Sequence, residues 1–191
     1  MSASLNTLAF VFPGQGSQAV GMLDAWGDHA AVRETLAEAS DALGEDIGRL
    51  IAAGPKESLD LTTNTQPVML TAGVACWRAW LAEPGLRPAA VAGHSLGEYT
   101  ALVASGVLSL KDALPLVRFR AQAMQEAVPV GAGGMAAILG MDAEAVKAGC
   151  AQAAAESGQA VEAVNFNDPK QTVIAGTKAG VDKACKVLKA A

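Results

Sequence analysis

Residues 88–105, PAAVAGHSLGEYTALVAS, compress a strand, a sharp turn and a helix into one short stretch. Pro88–Gly93 is an apolar run of strand length, and a helical pattern runs from Ser95 to about Ser105. Between them, Gly93-His94-Ser95-Leu96-Gly97 fits the pattern Gly-x-Ser-x-Gly. Where a strand turns directly into a helix, side chains flanking the serine collide with the backbone, which is why glycines belong there. The turn holds the hydroxyl out at a helix N-terminus, whose backbone N–H groups can stabilise an oxyanion. Ser95 is therefore a candidate nucleophile. The alternative is a small-residue turn with Ser95 as a helix cap. His94 is adjacent, but neighbouring side chains on such a bend point apart, so a structural hydrogen bond is expected of it. His29, the only other histidine, sits in a polar helical region and is expected at the surface.

Upstream, Thr7–Phe12 reads as a short strand ended by Pro13-Gly14. The turn Pro13-Gly14-Gln15-Gly16-Ser17-Gln18 follows, with three open readings. With Ala19 it gives Gly-x-Gly-x-x-Ala, a dinucleotide fingerprint, with Glu34 and Glu38 at the distance of a ribose contact. Alternatively, Gln15 stands at the C-terminal edge of the strand and donates its side-chain amide to an oxyanion beside Ser95. The third reading is a turn without chemistry. A mixed helical region from about Ala19 to Leu43 and a turn-rich connection over Leu50–Leu61 come next. Thr65–Leu81 then reads as a long buried helix capped by Thr65, with Pro67 in its first turn.

Downstream, Ser109 and Asp112 have capping-box spacing before a helix over Leu110–Ala127. Pro115 is expected to kink that helix or delay its start. Lys111, Arg118, Gln122 and Gln125 form one polar stripe, so Arg118 belongs to a solvated face. Arg120 has Leu116, Val117, Ala123, Met124 and Ala127 as neighbours. A guanidinium on an apolar stripe needs either an internal acid or the carboxylate of a ligand, and its planar fork suits the second as well as the first. Pro129–Gly134 is the clearest linker. Beyond it the order β-α-β-β-α predicts a ferredoxin-like module lacking its last strand: Met135–Met141, Asp142–Glu156, Val161–Asn165, Thr172–Ala175 and Thr177–Lys189. The expected organisation is an α/β core over residues 1–129 and a small subdomain over residues 130–191.

Of the 191 residues, 51% are apolar, 17% charged and 4% aromatic, enough to bury a core and too apolar for disorder. Fourteen Lys and Arg face nineteen Asp and Glu, with no block of like charge. A nucleic-acid surface needs a basic excess, so no nucleic-acid partner is expected. The longest uncharged run, between Asp60 and Arg78, contains Thr, Asn, Gln and Pro and is no membrane span. The N-terminus lacks a basic segment before an apolar run, so no secretory signal is read. Cys76, Cys150 and Cys185 are widely spaced, which predicts reduced, buried thiols in a cytoplasmic protein and no metal site.

Four segments, FVFPGQGSQ, GHSLGEYTALVASGVLS, the Arg120 helix with MQEAVP, and VNFN, together resemble malonyl-CoA:acyl-carrier-protein transacylases, members of the acyltransferase family of fatty-acid and polyketide synthesis. The resemblance covers essentially the whole chain. It implies an α/β hydrolase-like parallel-sheet core with an inserted ferredoxin-like subdomain, both incomplete in this chain. It implies transfer of malonyl from CoA, through a Ser95 ester, to the phosphopantetheine thiol of an acyl carrier protein, with no resident cofactor. It further implies an oxyanion hole from the Gln15 region and the Leu96 N–H. Arg120 would bind the malonyl carboxylate, and Met124 and Asn165 would line the site.

The resemblance also implies a catalytic histidine after the small subdomain, and this sequence has no histidine beyond His94. Without a base a serine hydroxyl is a weak nucleophile. The chain is therefore expected to be the N-terminal portion of a longer protein. The alternatives are a serine esterase or thioesterase, for which water is the acceptor, and an inactive truncated chain.

Overall fold

The computed structural model describes residues 8–129 and 131–190. It divides the chain into two compact units, one ending at Gln125 and one beginning at Glu126. Both are α/β: the first holds a parallel pair of strands with helices, the second a small antiparallel sheet.

In the first unit, β1 (Ala9–Phe12) pairs in parallel with β2 (Ala90–Gly93), in the register Ala9↔Ala90 to Phe12↔Gly93. A parallel pair needs a long crossover. Here it consists of a short 3-10 turn (Asp24–Trp26) and helices α1 (Ala30–Leu43), α2 (Ile47–Ala53), α3 (Lys56–Leu59) and α4 (Thr62–Ala82). Thr7 of the expected first strand lies outside the described residues. The loop after Phe12 runs into turns, and no helix opens on its glycines. Glu38 is bound to Arg78 at 2.6 Å. The dinucleotide reading needs a helix N-terminus at the loop, which is absent there, and one of its two acids, Glu38, is committed to Arg78.

The expected turn-rich segment 50–61 is largely helical. Asp46 accepts from the Arg49 N–H at 2.8 Å and caps α2, and Ile47 and Ile51, one turn apart, are buried. Helix α4 starts three residues before the expected cap. Thr65 lies inside it, its hydroxyl donating to the carbonyls of Leu59 at 2.6 Å and Leu61 at 3.0 Å. Pro67 is tolerated although it stands beyond the first turn. Helix α6 (Leu110–Ala127) likewise runs past Pro115 from its expected start. Its capping box is in place: Ser109 Oγ accepts from the Asp112 N–H at 3.1 Å and donates to the Asp112 carboxylate at 2.6 Å.

Helix α4 is the hub of this unit because it is apolar nearly all round. Val68, Ala72, Ala75 and Ala79 pack with Leu23, Val32, Ile47, Ile51 and Leu59 on one side. Met69, Leu70 and Val74 pack with Ala39, Leu96, Leu110, Leu114 and Val117 on the other. Burial of each such Leu or Val is worth about 1.5–3 kcal/mol. The rings of Phe10 and Trp77 meet edge to face at 5.4 Å, which holds β1 on α4. These contacts fix where the C-terminal ends of β1 and β2 stand.

In the second unit, β3 (Gly133–Leu139), β5 (Gln171–Thr177) and β4 (Val161–Asp168) form an antiparallel sheet in the order β3-β5-β4. Helices α7 (Ala143–Ser157) and α8 (Lys178–Ala190) bury Val146, Cys150, Ala153, Val181, Ala184 and Leu188 with Val161 and Ile174. Asp142 caps α7 by accepting from the Ala145 N–H at 2.9 Å. Thr177 caps α8 through the Gly180 N–H at 3.0 Å. Both hairpin strands are longer than their expected spans, and β3 ends earlier, at Leu139, where Gly140 turns the chain with a φ of 84°. Val130 of the linker lies outside the described residues.

Candidate active site

Ser95 sits between β2 and α5 (Leu96–Ala104) with φ 54° and ψ −109°, and no other described non-glycine residue has a positive φ. Such a conformation costs about 1–3 kcal/mol and persists only where its surroundings enforce it. Two close approaches do so. A Cβ on Gly93 would lie 1.9 Å from the Gly97 carbonyl oxygen, and one on Gly97 would lie 2.1 Å from the Phe12 carbonyl oxygen. The start of α5 therefore rests directly on the ends of both strands, and Ser95 is left exposed. Leu96 is the first residue of α5, so its N–H has no acceptor within the helix.

Arg120 of α6 reaches this bend. Its Nη2 donates to Ser95 Oγ at 3.0 Å, and its Nη1 donates to Gln66 Oε1 at 2.6 Å. Its guanidinium carbon stands 5.7 Å from the centre of the Tyr99 ring, within cation–π range. Among the described residues it has no carboxylate within 4.0 Å. Of the two readings left open for Arg120, the internal ion pair is absent. The stripe on which it was placed also differs: Leu116, Ala123 and Met124 are exposed, and the buried face of α6 is Leu110, Ala113, Leu114, Val117 and Ala121. Arg120 lies half-buried at its flank. Arg118, assigned to a solvated face, is instead held in a two-point ion pair with Glu45, at 2.9 and 2.8 Å, with its side chain only 17% exposed.

The remaining expected residues fall as follows. Met124 is exposed, and its sulfur accepts from Gln66 Nε2 at 3.4 Å. The Gln15 side chain donates to Thr62 Oγ1 at 3.2 Å, and Gln18 bridges the Gly16 N–H at 2.8 Å and Asp60 at 2.9 Å. The loop is thus fastened to α3 and α4, with the Gln15 amide donating one of its two hydrogens to that tether. Gly14 is packed against the bend: a Cβ there would stand 3.1 Å from the His94 carbonyl oxygen. Asn165 belongs to the second unit, half-buried in β4 opposite Val173 at a bulge. His29, expected at the surface, is only partly exposed. It stands at the start of α1, 3.6 Å from Glu83, with its ring edge-on to Trp26. Cys150 is buried, whereas Cys76 and Cys185 are only partly so, and all three are free. Burial pushes the Cys76 and Cys150 thiols up.

The sequence reading missed Gln66, Thr62 and Tyr99. Gln66 gave little signal, because it closes the polar stretch Thr62-Thr63-Asn64-Thr65 at the start of α4 and reads as part of it. Among the described residues, no group of three or more His, Cys, Asp or Glu is placed to hold a metal ion, and no helix is long and apolar enough to cross a membrane. An apolar cavity of about 310 Å³ lies between β1 and α4, lined by Phe10, Phe12, Met22, Cys76 and Trp77. Neither Ser95 nor Arg120 is among its lining residues.

A strand-to-helix bend presenting a serine to a half-buried arginine is the arrangement of an α/β acyl-transfer protein. Over residues 9–191 the chain matches the family described as acyl transferase domain, and it belongs to that family. It is 52% identical over 188 residues to the malonyl CoA-acyl carrier protein transacylase of Salmonella typhimurium, which takes in 98% of this chain and 60% of that protein. It is 46% identical to the Bacillus subtilis (strain 168) protein of the same name, over 97% of this chain and 58% of the relative. Among solved structures, an acyl-carrier-protein S-malonyltransferase from Burkholderia pseudomallei superimposes with a TM-score of 0.91 at 69% identity, covering 96% of this chain and 59% of that one. A malonyl-transacylase in complex with its type II polyketide-synthase acyl-carrier protein gives 0.90 at 50% identity, with the same coverage. The chain thus spans about 60% of the length of the relatives it matches.

Proposed function

We propose that this chain carries the acyl-accepting half of a malonyl transfer from CoA to the phosphopantetheine thiol of an acyl carrier protein. Ser95 Oγ attacks the thioester carbonyl carbon, the CoA thiol leaves, and a malonyl ester remains on Ser95. The carrier's thiol then attacks that ester and restores the hydroxyl. The Leu96 N–H, at the positive end of α5, and the Gln15 backbone N–H on its tethered loop stabilise the oxyanion of both steps. Arg120 grips the free carboxylate of malonyl, and Met124 lines the acyl site. No resident cofactor is needed, and the free cysteines suit a cytoplasmic setting. Residues 1–129 act as a hydrolase-like core and residues 130–191 as a ferredoxin-like small domain.

The observation that carries this reading is a cation with no acid partner among the described residues, 3.0 Å from an exposed, strained serine. An esterase acting on uncharged acyl groups has no use for it. The test is intact-mass analysis of the chain after incubation with malonyl-CoA and with acetyl-CoA. A malonyl adduct on Ser95, absent from Ser95→Ala and formed in preference to acetyl, supports the assignment. Rapid CoA release with no adduct and no carrier protein points to a thioesterase instead.

One observation favours a second reading, a chain that binds malonyl-CoA without turning it over. A guanidinium meets Ser95 Oγ, and a guanidinium cannot take up a proton at neutral pH. Binding without adduct formation, with turnover restored when the remaining portion of a relative is supplied, decides for it.

A further inference from the structure

Gln66 is fully buried on α4, between core residues on both of its sides. An amide in such a place is unfavourable unless both of its ends are hydrogen-bonded. Its oxygen accepts from Arg120 at 2.6 Å and its nitrogen donates to the Met124 sulfur at 3.4 Å. The orientation of the amide is dictated by its partners, because a guanidinium offers donors only.

Arginine loses considerable side-chain freedom when it is held in one position, and a single contact to Ser95 would leave it swinging. Gln66 grips one edge of the fork, Tyr99 lies against its face, and the other edge is presented at Ser95. A glutamate at the same position would hold the arginine equally well and neutralise it. Glutamine holds it and leaves the positive charge for something else.

We infer that Gln66 is the positioning residue of Arg120. It fixes the guanidinium beside Ser95 and, as a neutral acceptor, reserves its charge for acyl groups that end in a carboxylate. The inference rests on the reading of Arg120 as the acid-binding group and extends it to acyl selection.

The test is calorimetric titration of the 191-residue chain with malonyl-CoA and with acetyl-CoA. The variants are Gln66→Glu, Gln66→Met, Arg120→Ala and the Gln66→Met/Arg120→Ala double variant, each checked for cooperative thermal unfolding. Gln66→Glu is expected to weaken malonyl-CoA binding by about tenfold or more relative to its effect on acetyl-CoA binding. Gln66→Met should give a smaller loss, and none when Arg120 is already alanine. A ligand-free readout accompanies them: the Arg120 Nη protons should give separate NMR signals in the parent chain, and Gln66→Met should average them. Equal losses for both CoA esters would mark Gln66 as merely structural and overturn the proposal. So would full malonyl preference in Gln66→Glu alongside its loss in Arg120→Ala. Malonyl preference surviving in Arg120→Ala would instead sink the acid-binding reading, and this proposal with it. Should Gln66→Glu fail to fold, Gln66→Met and the NMR signals decide.

Discussion

Arg120 and Ser95, 25 positions apart in sequence, share a 3.0 Å hydrogen bond in which the guanidinium donates to the hydroxyl oxygen. Because no carboxylate among the described residues claims the arginine, the pair forms a site that is positively charged and open to an acid. Replacing Arg120 by alanine should reduce the preference for malonyl-CoA over acetyl-CoA by about 10- to 100-fold, the worth of a charge-assisted hydrogen-bonded pair. Parallel titrations of the two esters check this.

The backbone at Ser95 stores strain that glycine would not feel. Ser95→Gly should therefore unfold at higher denaturant than Ser95→Ala, by about 1 kcal/mol in stability, although both lose the hydroxyl. Urea titration of the two variants side by side measures the difference. Equal stabilities would mean that the bend is unstrained.

Gly97 admits no side chain. With the Phe12 carbonyl oxygen 2.1 Å from a Cβ, Gly97→Ala must push α5 off the end of β1. A loss of about 3 kcal/mol or more is expected, read as a fall in melting temperature. Gly16, around which there is open space, has a φ of 112°, so Gly16→Ala tests conformation alone and should cost about 1 kcal/mol.

The loop of residues 13–18 should loosen in acid. Lys56, and after it Gln18, hold the Asp60 carboxyl below its ordinary value. A lowered value stabilises the folded loop at pH above the ordinary aspartate range. That contribution fades as the pH falls through the lowered value. Amide protection factors across residues 14–18 should drop over that interval, and Asp60→Asn should show the low protection already at neutral pH.

Much of the layout was legible in the sequence because it rests on local rules. The GHSLG bend, the Ser109 cap and the strand-and-helix order after Gly133 each follow from spacing and backbone sterics within a few residues. The errors arose where distant partners decide. Segment 50–61 became helical because Ile47, Ile51 and Leu59 are buried against α4. Arg118 left solvent because Glu45, 73 positions away, faces it. Thr62 as the partner of the Gln15 side chain is likewise announced by no local pattern. Spacing alone left Arg120 open between an internal acid and a ligand, and only the resemblance placed it at the Ser95 site; the amide that holds it was not foreseen, since Gln66 becomes meaningful only once α4 and α6 are packed together.

Thr62, which tethers the Gln15 loop, and Gln66, which grips Arg120, stand four residues apart on α4. One helical turn therefore works as a common gauge for the loop and the cation, setting both against the same ruler. Any disturbance that slides or rolls α4 displaces both in concert. Variants deep in the core, such as Leu70→Ala, can accordingly detune acyl capture and acid recognition together without touching a single group that meets the thioester.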